Sequence, residues 1–294
     1  MSGRRIALAA GDLRVELLPA IGGCIARFDR VDATARQSLL RGTDADIADV
    51  LEAGCFPLVP FANRIRDGRF VCDGRTVQLT PNMAGDASPL HGQGWRAAWD
   101  VVEDSTTHAL LAFHHLPGEW PWEYRATQRI ALDADGLSLT LSCTNLSVEP
   151  MPCGLGYHPY YPCDGATVLD TGVESAWTVD EAVLPVANVP ATGRYDLHDR
   201  AICGQSLDNG FDGWTGTAAI RWPDKPAALR LSSPDATRFQ VYSPASGGVF
   251  VAEPVQNANA ALNAPQHEWP ALGIALLQRG QAGVLRVRFD VMPA

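Results

Sequence analysis

Apolar and polar positions alternate along most of this chain, in short runs separated by Gly, Pro, Asn and Asp. That period-two pattern predicts strands, because successive side chains of a strand point to opposite faces. Residues 14–18, 68–79, 108–115, 228–231, 238–242 and 248–252 read this way. The clearest hairpin spans 124–143: Ile130 and Leu132 alternate with polar neighbours, Asp135-Gly136 supplies the turn, and Leu137, Leu139 and Leu141 alternate on the return. The C-terminal stretch repeats the pattern, with 274–277, a turn at 280–283, then Val284, Arg286 and Arg288 alternating with Leu285, Val287 and Phe289. One short helix is expected after Thr43, where Ile47, Val50 and Leu51 fall at i, i+3 and i+4; an irregular loop is the competing reading. About fifteen or more short strands with turn signals between them predict an all-β fold, a single large antiparallel sandwich or closed barrel-like architecture with few short helices. No linker or internal repeat divides residues 1–294, so one domain is expected.

Composition narrows the partners more than the fold. With 23 basic against 33 acidic residues the net charge is −10. Such a surface repels phosphate backbones and anionic lipid, which argues against nucleic acid and membrane partners. No run approaches the ~18 apolar residues of a membrane span, and the apolar stretch before Gly11-Asp12 is short for a signal-peptide core. The seven cysteines are odd in number, scattered, and form no C-x-x-C pair. Reduced thiols in a cytoplasmic protein, with neither a disulfide framework nor a zinc site, are therefore expected, and the Asn145-Leu146-Ser147 sequon carries no glycan in that setting. No heptad or sticky strand points to an assembly, and monomer and dimer stay open.

Phosphate-cradling glycine loops, the H-E-x-x-H zinc motif and the G-x-S-x-G elbow are all absent from the sequence. Four other segments stand out: Phe56 to Ile65 with Asn63-Arg64, Leu90-His91-Gly92, Gly156-Tyr157-His158-Pro159-Tyr160, and Ala252-Glu253-Pro254-Val255-Gln256-Asn257. Arg64 offers five fixed donors for hydroxyls or a carboxylate, against the alternative of a buried ion pair. His91 sits in a Pro- and Gly-bounded loop, where a lone histidine is more often structural than functional. His158, among tyrosines and glycines, suits a shaped pocket with a pKa near the working pH; a core histidine satisfied by tyrosine hydroxyls competes. Glu253 follows a strand-like run, where a carboxylate is either ion-paired or aimed at a site. Asp208, in Leu207-Asp208-Asn209-Gly210-Phe211, reads alone as a turn residue. Trp95, Trp120, Trp122 and Trp214 are candidate stacking faces, or core.

In order along the chain, these segments resemble the aldose 1-epimerase (galactose mutarotase) family: Asn63-Arg64-Ile65, His91-Gly92, His158-Pro159-Tyr160, Asp208-x-x-Phe211 and Glu253-x-x-Gln256. The continuation Gln256-Asn257-Ala258-Asn259 is closer to a less characterised bacterial branch, and Asn209 stands where a His commonly follows the Asp. The resemblance implies a β-supersandwich that interconverts α and β anomers of a free aldose by opening and reclosing the ring. It implies Glu253 as base and His158 as acid, a pair of similar effective pKa, with His91 bonding the reacting region of the sugar. Arg64, Asn63 and Asp208 would hold ring hydroxyls, and neither cofactor nor metal is required. Two alternatives remain. A hexose-6-phosphate epimerase would need a basic cluster, for which Arg64, Arg66, Arg69 and Arg96 are available. A non-catalytic carbohydrate-binding protein would have no use for a proton-transfer pair.

Overall fold

The structure, a computed structural model, describes residues 4–42 and 47–294. Among these residues it holds 24 strands and six single-turn 3-10 helices, and no α-helix. Every strand ladder is antiparallel, so the all-β expectation holds. The helix expected after Thr43 begins outside the described residues. From Ile47 onward the chain forms one 3-10 turn, Val50–Glu52, with the Asp49 carboxylate accepting from Leu51 N–H at 3.0 Å.

Two large sheets carry the fold. The eleven-stranded sheet runs from Ile6–Ala10 through Leu13–Leu18, Cys24–Val31, Cys55–Leu58, Gly156–Pro162, Val249–Val255, Arg238–Ser243, Leu207–Asp212 and Ser175–Val179 to the Pro185–Pro190 edge, with Arg36–Ser38 as a side branch. The nine-stranded sheet is centred on Tyr124–Leu132, Gly136–Asn145 and Ala282–Pro293. Between them lies the core, where Phe28, Phe239 and Phe250 of one sheet join Ile130, Leu139, Leu285 and Phe289 of the other in one buried cluster. Burying each such side chain contributes roughly 1.5–3 kcal/mol. Alternation then decides what the outer face receives. On Val249–Val255, Phe250 and Ala252 enter this core while Val251 and Val255 join a second, smaller apolar cluster with Phe56, Leu58, Trp95 and Tyr160.

The central hairpin pairs Tyr124 with Asn145 and Leu132 with Leu137. Its turn begins earlier than expected: Asp133 accepts from Asp135 N–H and Gly136 N–H, each at 2.9 Å, and Gly136 already belongs to the return strand. The C-terminal strands form but do not pair with each other. Ala275–Leu277 joins Met151–Cys153, and Ala282–Pro293 lies between Gly136–Asn145 and Ala227–Ser232. The apolar residues Leu285, Val287 and Phe289 fill the inter-sheet core, which requires a central strand with two neighbours.

The cysteine expectation needs one correction. Cys163 and Cys203, forty residues apart, are disulfide-bonded with a Cα–Cα separation of 5.7 Å, while Cys24, Cys55, Cys72, Cys143 and Cys153 are buried free thiols. Sequence spacing says nothing about which distant turns fold to within bridging distance. Asn145 is buried, its Nδ2 donating to Glu149 O and Leu277 O at 2.8 Å each. Among the described residues no helix is long and apolar enough to cross a membrane.

Gly136 admits a sharp test of this register. A Cβ there would meet the Phe289 carbonyl oxygen at 2.0 Å, a backbone atom with no freedom to withdraw. Gly136→Ala is expected to destabilise the protein by about 1–3 kcal/mol, the usual cost of overpacking, measured as a shifted midpoint in urea or guanidinium unfolding.

Candidate active site

The outer face of the eleven-stranded sheet presents His158 and Tyr160 from Gly156–Pro162, Glu253 from Val249–Val255, Gln240 and Tyr242 from Arg238–Ser243, and Asp208 from Leu207–Asp212. The register makes them neighbours: Gln240 pairs with Glu253 and Asp208 with Tyr242. Leu51, Asn63, Arg64, Met83, Leu90, His91 and Trp95 close the sides, leaving a cavity of about 270 Å³. That is at or below the ~300–1,000 Å³ of drug-sized pockets, so it suits one small polar molecule.

Glu253 is 2% exposed, and its Oε1 lies 3.5 Å from His158 Nε2. A proline follows each of the two residues, Pro159 and Pro254. Neither proline has an N–H to give, and the ladder between their strands is interrupted there, pairing Gly156 with Val255 and then only Tyr160 with Val251. The His158 strand is held instead from its other side, His158 opposite Phe56. The His158 ring stacks on Phe56 at 4.6 Å and 16°, packs on Tyr160 at 4.6 Å, and meets His91 edge-on at 5.5 Å. Arg41 backs this wall, its guanidinium 3.8 Å over the Tyr160 ring.

Desolvation dominates the electrostatics. Burial, reinforced by the Asp208 carboxylate and opposed by Arg64, pushes the Glu253 carboxyl well above the ordinary range. Burial, with a smaller contribution from the Arg41 charge, brings His158 down to about 3. Both shifts have one sense: the dry site disfavours charge on either partner. Burial thus moves the two groups apart, where the sequence reading expects matched values and a His158 near the working pH. Burial therefore favours the neutral form of each group, a protonated carboxyl beside a neutral imidazole.

Around the pair the polar groups are individually fixed. Asn63 has φ of 63°, a left-handed conformation that asparagine tolerates better than most residues. This break in alternation lets two successive residues, Asn63 and Arg64, both line the cavity. His91, also left-handed at φ 64°, donates its backbone N–H to Asn63 O at 3.0 Å and accepts Asn63 N–H on Nδ1 at 3.1 Å. An Nδ1 that accepts leaves the ring hydrogen on Nε2, making His91 a neutral donor. Burial, then the nearby His158 and Arg64, hold its pKa well below the ordinary value. Arg64 Nε donates to Asp86 Oδ2 at 2.7 Å. Gln240 Nε2 donates to Asp208 Oδ1 at 2.8 Å and its Oε1 accepts from Asn63 Nδ2 at 3.3 Å. Burial raises the Asp208 carboxyl, against the pull of Arg64 and Gln240.

The model of the aldose 1-epimerase family matches residues 4–280. The chain belongs to the aldose 1-epimerase family. Uncharacterized protein YphB of Escherichia coli K12 is 37% identical over 231 residues, 77% of this chain and 76% of YphB. The aldose 1-epimerase of the same organism is 31% identical over 111 residues, 36% of this chain and 31% of that protein. Among solved structures, one from Escherichia coli K12 superimposes with a TM-score of 0.90 at 31% identity over 99% of both chains. A galactose mutarotase-like protein from Clostridium acetobutylicum gives 0.85 at 18% identity, covering 99% of this chain and 95% of its own, and shares the fold.

All six residues singled out in this epimerase-family sequence, Asn63, Arg64, His91, His158, Asp208 and Glu253, line the one cavity. Of the four tryptophans only Trp95 does; Trp120, Trp122 and Trp214 are buried in the inter-sheet core. Asp208 is a strand residue rather than a turn residue. Sequence reasoning missed Gln240, Tyr242 and Asp86. The first two alternate on a recognised strand, but nothing local reveals that this strand neighbours Glu253. Asp86 lies in an irregular loop with no pattern to mark it.

The raised Glu253 pKa carries a stability consequence. The folded chain holds this proton to higher pH than the unfolded chain, so its contribution is complete below the ordinary value of 4.5 and is lost as pH rises through the folded value. Glu253→Gln is therefore expected to melt above wild type at pH 8, with the gap closing as pH falls toward 4.5. Thermal denaturation across that range checks it.

Proposed function

We propose that this protein is a mutarotase, interconverting the α and β anomers of an unphosphorylated monosaccharide. The observation that carries the reading is the desolvated Glu253–His158 pair at 3.5 Å, set in a cavity the size of one sugar ring and ringed by hydroxyl-binding groups. Glu253 Oε2 is buried without a hydrogen-bond partner among the described residues, as a group reserved for substrate would be.

The pair shares one mobile proton. With sugar bound, hydroxyls and Arg64 offset the cost of ionising Glu253, and the proton passes to His158. The carboxylate then takes the C1 hydroxyl proton, the C1–O5 bond breaks as C1=O forms, and His158 protonates O5. Rotation about C1–C2 presents the other carbonyl face. O5 attacks it, returns its proton to His158, and Glu253 gives its own back to the carbonyl oxygen. His91 Nε2–H, fixed as a neutral donor, bonds the oxygen on which charge develops. Arg64 and Asn63 donate to ring hydroxyls and Asp208 accepts from one.

Of the four arginines available to a phosphate, only Arg64 lines the cavity, and Asp86 already holds it. Arg66 pairs with Asp180 and lines a separate cleft with Arg69, while Arg96 lies over Trp95 and faces another. The acidic side chains inside the cavity, Asp208 and Glu253, offer a phosphate no positive charge. This supports a free aldose over a hexose phosphate.

Polarimetry or proton NMR on freshly dissolved α-anomers of glucose, galactose, xylose and arabinose tests the reading. Wild type is expected to accelerate equilibration, with hexose 6-phosphates unaffected. Glu253→Gln and His158→Asn should each lower kcat by about 10² or more. Wild-type rate in either variant removes that residue from the mechanism, and no acceleration of any free sugar removes the activity.

A further inference from the structure

The segment Ala62 to Arg66 carries Asn63 and Arg64, and its two edges are held in different ways. On one edge the partners are mostly backbone: His91 N–H to Asn63 O, Ile65 N–H to Pro89 O, and a bridge pairing Arg64 with Leu90. On the other edge no strand runs alongside. Three asparagine side chains stand in for one. Asn257 accepts Ala62 N–H at 3.0 Å and donates to Ala62 O at 2.9 Å. Asn259 accepts Arg64 N–H at 3.1 Å. Asn263 accepts Arg66 N–H at 2.7 Å and donates to Arg66 O at 3.2 Å and Arg69 O at 2.9 Å. The rungs fall on residues 62, 64 and 66, the period of a strand edge, with side-chain amides supplying donors and acceptors that a neighbouring backbone would otherwise provide.

We propose that Asn257, Asn259 and Asn263 form an amide ladder that positions Arg64 relative to Glu253. The ladder begins four residues after Glu253 on the same chain segment, so the guanidinium is placed from the strand that carries the carboxylate. Asn259 is the central rung. It is buried, grips the Arg64 backbone directly, and is itself oriented by Nδ2 donating to Val183 O at 2.7 Å, at the tip of the hairpin joining Ser175–Val179 to Pro185–Pro190. Ala260, left-handed at φ 55°, returns its N–H to Arg64 O at 3.1 Å, completing the grip on the same edge. Asp86 then fixes the far end of the side chain through Nε. Asn259 does not line the cavity. It is a positioning residue, and a displacement of ~1 Å at a binding group is enough to cost up to about 10² in rate or binding.

The kinetic part of this inference rests on the mutarotase reading; the structural part does not, and two readouts keep them apart. The first is water exchange of the Arg64 Nε–H by NMR. Asn259→Leu is expected to speed it about tenfold or more as the Arg64 backbone loosens. Asn259→Asp keeps the acceptor for Arg64 N–H but loses the donor to Val183 O, and is expected to fall between wild type and Asn259→Leu. The second is steady-state anomer exchange: Asn259→Leu should raise KM about tenfold and lower kcat by a smaller factor, because Arg64 both holds a sugar hydroxyl and offsets the ionisation of Glu253. In an Arg64→Gln background the same Asn259→Leu change should add no further KM increase, since a residue that acts through Arg64 has nothing left to act on. If the Leu variant does not fold, Asn259→Ala, which removes the same rung without adding volume, carries both readouts. A folded Leu or Ala variant with unchanged Nε–H exchange overturns the ladder, as does a KM effect that is fully additive with Arg64→Gln. A wild type inert toward every aldose overturns the functional reading, and the exchange measurement still decides the ladder.

Discussion

Removal of water from the Glu253 carboxyl is the constraint on which the rest of the site depends. An ionised carboxylate buried without a cation is costly, and burial, the larger influence, is opposed here only by the Arg64 charge. Burial lowers the neighbouring His158 as it raises Glu253, so neutral forms of both are favoured across the 3.5 Å contact. Every nearby element keeps the pair dry or keeps it poised. Phe56, Tyr160 and Trp95 build the apolar wall, and the left-handed turn at His91 brings a second neutral imidazole edge-on to the first.

Sheet alternation is what makes such a site possible. The strands that bury Phe239, Val241, Phe250 and Ala252 in the core carry Gln240, Tyr242 and Glu253 on the opposite face. The core holds the strands rigid, so side chains on the outer face inherit fixed positions, the usual arrangement for precise binding groups. Two local breaks of the strand rules then adapt it. Prolines after His158 and Glu253 interrupt the ladder between their strands, and the positive φ at Asn63 aims adjacent residues into one cavity.

The strands were legible because alternation is a local signal, and the six candidate residues because their short motifs recur together in one family's order. What was not legible shares a different physical origin. The partner of Ala275–Leu277, the Cys163–Cys203 bond, the Gln240–Asp208 contact and the Asn259–Arg64 rung all join residues far apart in sequence. Only folding brings them together, and no local pattern encodes the meeting. The shifts that burial imposes on Glu253 and His158 were not legible for a related reason. The sequence shows which titratable groups are present but not how little water reaches them. Arg66, Arg69 and Arg96 lie close to Arg64 or His91 in the chain, yet the backbone turns each of them toward other clefts.

The most direct test of the buried-pair account is long-range proton–nitrogen NMR of the imidazole rings in the sugar-free protein between pH 4.5 and 8. The account requires His158 to stay neutral throughout and His91 to stay neutral as the Nε2–H form, its Nδ1 resonance that of an acceptor. A His158 or His91 ring that gains a proton with a midpoint near the ordinary 6.5 would show a wet, charge-tolerant site and contradict it.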